Sequence, residues 1–389
     1  MNHHITNANI KEWARDYDGP QFDGILCDPP YELGFMGKSW DSSGIAFDKD
    51  MWADILKLLK PGGHLLAFSG SRTYHRMAVA IEDAGFEIRD MIEWVYGSGF
   101  PKSLNIGHKI PEYEGYGTAL KPAHEPCVLA RKPIEGTVAN NVLKHGTGGL
   151  NIDGTRVGTE TISYPNGSGG NKTENVRFAG GNRENDKAYR SQPWSQTGRF
   201  PANLIHDGSD EVEAVFPQTK AGVAVRRNKG IVASKNVTFN ANDPTNTEDV
   251  GYGDSGSASR FFYTAKASKS ERNAGLEGFE DRIAGGMQGR ADGSLAGPIV
   301  YNKNVHPTVK PLSLTKYLAT LIKPPTGGRL LVPFSGSGSE MIGALQAGWE
   351  YVEGVELTEE YIPIAEARIK HWLEQMAQED TKPKQESLL

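Results

Sequence analysis

The chain has 389 residues, 42 Lys+Arg against 48 Asp+Glu for a net charge of −6, 38% hydrophobic residues and two cysteines. At roughly 100–200 residues per domain, this length suits two or three domains with a packed core and excludes disorder throughout. Cys27 and Cys127 are too few for a disulfide scaffold, no Cys/His pairs show structural zinc spacing, and no apolar run nears the ~20 residues that cross a bilayer, so a cytoplasmic protein without metal or membrane anchor is expected.

In chain order, Gly24-Ile25-Leu26-Cys27 reads as a short buried strand ending at Asp28-Pro29-Pro30-Tyr31, where two prolines stiffen the backbone and keep a helix from starting. Trp52, Ile55, Leu56, Leu58 and Leu59 fall at helical spacing, and Pro61-Gly62-Gly63 is expected to stop that helix. Residues 64–68 read as a strand, 74–84 as a helix closed by Gly85, and 86–96 and 125–131 as further strands.

Residues 136–300 are built differently. They hold 25 of the 46 glycines, in stretches such as Gly167-Ser168-Gly169-Gly170-Asn171 and Gly251-Tyr252-Gly253-Asp254, which predicts loops and short strands. With 19 Lys+Arg and 18 Asp+Glu, this insert is nearly neutral between acidic flanks. That contrast hints at an anion-binding surface and keeps nucleic acid open as a partner.

Beyond it, 311–322 predicts a helix, 328–333 a strand, 340–347 a helix, 351–356 a strand and 359–375 a long helix. Strands alternating with helices imply an α/β fold: a Rossmann-like, doubly wound, mostly parallel sheet assembled from both ends of the chain. Residues 1–135 and 301–375 would form this domain, 136–300 an inserted domain and 376–389 a polar tail.

Two strand tips carry chemistry. Asp28-Pro29-Pro30-Tyr31 brings together a carboxylate, a rigid carbonyl and an aromatic face. An exocyclic amine on a base is a poor nucleophile until hydrogen-bond acceptors draw on its N–H groups. Asp28 and the Pro29 carbonyl suit that task, with Tyr31 as a stacking surface. An ordinary strand-ending turn is the plainer alternative. The second tip, Pro333-Phe334-Ser335-Gly336-Ser337-Gly338-Ser339, lets the backbone approach a ligand closely at a helix N-terminus. Glu356 ends the following strand, where a carboxylate can accept from ribose hydroxyls. Met341 stands where a dinucleotide fingerprint has its third glycine, which weakens a nicotinamide reading.

Together these residues resemble the amino-group DNA methyltransferases that use S-adenosylmethionine, in the class with the catalytic motif first and the cofactor loop last. Asp28-Pro29-Pro30-Tyr31 matches the catalytic motif, Phe334, Gly336, Ser337, Gly338 and Ser339 the cofactor loop, and Glu356 the ribose-binding acid. His306-Pro307-Thr308-Val309-Lys310-Pro311 resembles the segment beneath the methionine end of the cofactor, so His306, Thr308 and Lys310 are assigned there. Asn9 is loosely aligned to a position near the adenine. The resemblance makes 136–300 a target-recognition domain, with segments around 198–205 and 259–268 similar to those of phage-type members. Arg260, Lys266 and Lys269 are then candidate contacts to double-stranded DNA, while Phe261, Phe262 and Tyr263 read equally well as core. It implies site-specific transfer to adenine N6, with no metal and with room for a homodimer. Cytosine N4 is the alternative, and a degenerate DNA-binding member another. A restriction partner, if there is one, is encoded elsewhere.

The chain departs from the pattern at Val332, where relatives carry Asp. Pro126-Cys127 invites a cytosine-C5 reading, but Cys127 lies in an apolar run where a buried thiol is expected.

Overall fold

The computed structural model describes residues 2–33, 39–99, 103–164, 194–220, 254–266, 268–283 and 301–381. The expected Gly-rich stretches at 167–171 and 251–253 lie outside them. The chain divides into two compact units, one of residues 1–155, 202–212 and 263–389, the other of 156–201 and 213–262.

The first unit is built on a nine-stranded sheet. Its strands are β1 (Asn2–Asn7), β2 (Phe22–Cys27), β3 (Leu59–Phe68), β4 (Glu87–Val95), β5 (His124–Arg131), β6 (Leu204–His206), β7 (Tyr263–Thr264), β8 (Arg329–Pro333) and β9 (Tyr351–Glu356). Their spatial order is β1-β9-β8-β2-β3-β5-β4-β6-β7. Every neighbouring pair is parallel except those made by β5. The two ends of the chain meet at its centre, where Leu330 and Leu331 pair with Gly24 and Ile25.

Helices that pack on the sheet include α1 (Ile10–Asp16), α2 (Lys49–Leu58), α3 (Tyr74–Asp83), α4 (Leu312–Ile322), α5 (Ser339–Gln346) and α6 (Ile362–Thr381). Because side chains alternate along a strand, adjacent residues enter opposite cores. Leu26, Leu66, Leu330 and Val332 pack with α4, α5 and Ile369 of α6. Ile25, Cys27, Leu65, Leu331 and Val355 pack with α1, α2 and α3. The α2 helix shows the local logic. Asp48 caps it, accepting from the Asp50 and Met51 amides, and Met51, Trp52, Ile55 and Leu58 form its buried stripe. Each such side chain contributes ~1.5–3 kcal/mol when fully buried.

Several expectations need correction. The α2 helix stops at Leu58, before Pro61-Gly62-Gly63, and those residues belong to β3. Gly62, at φ +81°, donates to the Lys132 carbonyl, and the Gly63 carbonyl accepts from Lys132, so the glycines are held by pairing. The helix expected over 359–375 runs instead from Ile362 to Thr381, into the stretch read as a polar tail. Neither β1 nor α1 was legible as an element. Inside 136–300, the helix Val138–His145 and strands β6 and β7 belong to the first unit.

The second unit contains two antiparallel pairs, Val157–Tyr164 with Trp194–Arg199 and Gln218–Lys220 with Ser255–Ser257. Asp254 joins them through ion pairs with Arg199 and Arg260, both at 2.5 Å.

Candidate active site

Strands β2, β8 and β9 are parallel neighbours, so their carboxyl ends open on one edge of the sheet. That edge carries Asp28, the Phe334–Ser339 loop and Glu356. Strand β5 runs the other way and brings its first residues, His124 and Glu125, to the same edge. This is how Glu125, which the sequence did not single out, reaches Tyr31.

At the first tip, Lys310 Nζ lies 2.6 Å from Asp28 Oδ2, 3.0 Å from Tyr31 Oη and 3.2 Å from Glu125 Oε2. The Tyr31 hydroxyl donates to Glu125 Oε2 at 2.9 Å, and Thr73 Oγ1 donates to the Tyr31 carbonyl at 2.7 Å. The ammonium also sits 4.8 Å from the Phe68 ring centroid. Burial opposes the Lys310 charge, but Asp28 and Glu125 outweigh it and hold the ammonium above its ordinary range. Burial, with Asp28 and Glu125, pushes the Tyr31 phenol well up. Lys310 thus sits in the Asp28 cluster, at the end of the segment whose motif resembles the cofactor side. Asp28 Oδ1 is buried and has no hydrogen-bond partner among the described residues.

At the second tip, Glu356 is buried, and its carboxylate accepts from the Gly336 amide at 2.7 Å and the Thr358 amide at 2.8 Å. Burial raises its pKa. Phe334 adopts φ +61° and Gly336 φ +50°. A Cβ on Gly336 would meet His306 Nε2 at 2.7 Å, so this loop passes directly under the imidazole. His306 lies edge-on to Tyr361 and bonds through Nδ1 to the Thr308 carbonyl. Burial lowers its pKa to about 4. Gly338, at φ +82°, starts α5.

Arg368, absent from the sequence reading, is fully buried and supports this loop. Its guanidinium donates to the Ser337 carbonyl at 2.5 Å, Ser337 Oγ at 3.0 Å and Ser339 Oγ at 3.2 Å. Asn304 Nδ2 adds a bond to Ser337 Oγ at 3.2 Å.

The remaining sites fall elsewhere. Asn9 is exposed and caps α1 by accepting from the Lys11 amide at 2.9 Å. It follows the tip of β1, which pairs Asn7 with Glu356. Arg260 is engaged within the second unit by Asp254, Thr219 Oγ1 and the Gly256 and Ser257 carbonyls. Lys266 is exposed, and the Lys269 side chain lies outside the described residues. Tyr263 stacks on Tyr317 in the first unit at 3.9 Å, and Phe262 packs on Phe216 in the second. Cys127 is buried, with its thiol pushed up chiefly by burial.

The family model for N6/N4 methyltransferases, described as DNA methylase, matches residues 22–367. The chain belongs to this DNA methylase family. Over 115 residues it is 29% identical to the type II methyltransferase M.HindIII of Haemophilus influenzae, a match covering 26% of this chain and only 37% of that protein. Structural likenesses are distant. The M1.HpyAVI–SAM complex is 15% identical over 94% of this chain and 98% of that one, with a TM-score of 0.43. The PvuII DNA methyltransferase, described as cytosine-N4-specific, is 11% identical over 95% and 86%, with a TM-score of 0.45.

No cluster of three or more metal-ligating side chains occurs among the described residues. No helix among them is long and apolar enough to cross a membrane.

Proposed function

We propose that this DNA methylase is a site-specific adenine-N6 methyltransferase acting on double-stranded DNA. The observation that carries this reading is the Asp28 carboxylate, with one oxygen fixed by Lys310 and the other without a partner at the sheet edge. S-Adenosylmethionine, the methyl donor, supplies an electrophilic sulfonium methyl when bound. The residues present fit that molecule. Gly336 and Gly338 open the loop, Glu356 presents a buried carboxylate, and Glu340 Oε1 lacks a partner among the described residues.

Asp28 Oδ1 and the Pro29 carbonyl accept the two N–H groups of a base extruded from the duplex, drawing the nitrogen toward tetrahedral geometry. Lys310 holds Oδ2, so Asp28 cannot rotate away from that task. On transfer of the methyl group, Asp28 Oδ1 would take the proton that the amine loses and pass it to solvent. Held by Thr73 and Glu125, Tyr31 offers its ring to the base. Asp28, in place of the Ser more usual for cytosine, favours adenine. The unit of residues 156–201 and 213–262, within the 136–300 insert, would read the target sequence, and Lys266 would meet phosphate.

The test is to incubate the full chain with unmethylated DNA and isotopically labelled S-adenosylmethionine, then digest and identify modified nucleosides by mass spectrometry. Labelled N6-methyladenine is the expected product. Labelled N4-methylcytosine would overturn the choice of base, and no label in DNA would overturn the activity.

A further inference from the structure

A charge imbalance surrounds Lys310. Asp28 and Glu125 both pair with it, and Glu340, in the first turn of α5, also acts on it electrostatically. Two carboxylates therefore pair with one ammonium, and a third acidic group acts on it from α5. Glu340 is 4% exposed, and its Oε1 has no hydrogen-bond partner among the described residues. The groups acting on it are Asp28 beyond β2, Lys310 ahead of α4, a backbone hydrogen bond from its own amide, and Arg368 on α6. Arg368 directs its Nη1 to Ser337 and Ser339. Leaving a buried carboxylate oxygen without a partner is costly, and such groups are retained where a ligand completes them.

The cofactor brings a matching charge, since its methionine end carries an α-ammonium. Of the other carboxylates bordering the loop, Asp28 has Oδ2 on Lys310 and Oδ1 assigned above to the base, and Glu356 accepts from two backbone amides. Val332, where a carboxylate would otherwise be expected, is fully buried among apolar side chains.

We propose that Glu340 receives the α-ammonium of the cofactor's methionine moiety, for which the apolar Val332 offers no acceptor. This rests on the cofactor reading above, and the experiment separates the two. Calorimetry compares S-adenosylhomocysteine, which has the amino-acid end, with 5′-methylthioadenosine, which lacks it, on the full chain and on Glu340→Gln.

The expected result is that Glu340→Gln weakens S-adenosylhomocysteine by about tenfold or more and changes methylthioadenosine by less than about twofold. Equal effects on both ligands, or none on either, would overturn the proposal. If neither ligand binds the unaltered chain, the cofactor reading falls and takes the proposal with it. A second measurement needs no variant. Burial, then Asp28, raises the Glu340 pKa to about 7, so an arriving ammonium displaces its proton. Binding of S-adenosylhomocysteine near pH 7 should release a proton, read from buffers of different ionisation enthalpy, and methylthioadenosine should not. The same release with both ligands, or with neither, would also overturn it.

Discussion

Lys310 Nζ sits 2.6 Å from Asp28 Oδ2, joining residues 282 positions apart in the chain. The contact ties the catalytic motif to the segment leading into α4. Both groups are largely buried, with 5% of the Lys310 side chain and 12% of the Asp28 side chain exposed, so solvent screens the pair weakly.

Replacing Asp28 by Ala should abolish methylation while leaving cofactor affinity within about threefold, because the carboxylate acts on the base. A loss of about 100-fold or more in single-turnover rate is expected, comparable to removing a group that stabilises developing charge. Retained turnover would take Asp28 out of the mechanism.

Lys310→Met should leave Asp28 and Glu125 as neighbouring carboxylates without their shared cation. Removing one partner of a buried pair costs ~3–5 kcal/mol, which urea unfolding would register. Lys310→Arg should restore the charge but not the turnover, since a planar guanidinium cannot reproduce three contacts around one nitrogen.

Gly336→Ala places a Cβ 2.7 Å from His306 Nε2 at φ +50°. The loop must shift, and cofactor affinity measured by calorimetry should fall by about tenfold or more, from ~1.4 kcal/mol of lost complementarity. Unchanged affinity would show that the loop is not a binding element.

Arg368→Met removes the donor to Ser337 and Ser339 from the interior. Each acceptor left unsatisfied costs ~1–3 kcal/mol, so a clear drop in thermal midpoint is expected together with weaker cofactor binding. Arg368→Lys should recover stability only in part.

Acid stability should depend on His64. Burial, then Arg131, lowers its pKa to about 3 from an ordinary 6.5. Below pH 6.5 the unfolded chain takes up a proton that the folded chain refuses, so stability is lost as pH falls from 6.5 toward 3, at up to ~1.4 kcal/mol per pH unit. His64→Gln should flatten that part of the profile. Glu340 has the opposite sign. Its raised pKa makes its contribution full below 4.5 and lost as pH rises through about 7, so Glu340→Gln should gain stability relative to the unaltered chain on the alkaline side. Parallel pH profiles for variant and parent would refute either assignment.

Much of the first unit was legible because its strands are short apolar runs and its helices carry a buried stripe. Leu65, Leu66 and Leu330 announce themselves through composition alone. Strand β1, Asn2–Asn7, did not, because an edge strand of polar residues depends on its neighbour β9 for its conformation. The Asp-Pro-Pro-Tyr and Gly-x-Gly tips were readable as motifs. Their supports were not. Glu125 reaches the site only because β5 runs against the sheet, and Arg368 because α6 returns beneath the loop. Both placements are tertiary facts with no local signature. The motif holding Lys310 is readable, but its contact with Asp28 is not, since a motif gives a residue's order in the chain and not the direction of its side chain.

The pairing of Gly24 and Ile25 with Leu330 and Leu331 has a further consequence during synthesis. A ribosome releases β2 some three hundred codons before its neighbour β8, so the nascent chain carries an open, apolar strand edge for most of translation. Such edges are prone to mispairing, and contacts so remote in sequence form slowly. A prematurely terminated product would keep the Asp28 turn yet never close the sheet around it, making chaperone dependence and aggregation of truncated chains the natural signature of this topology.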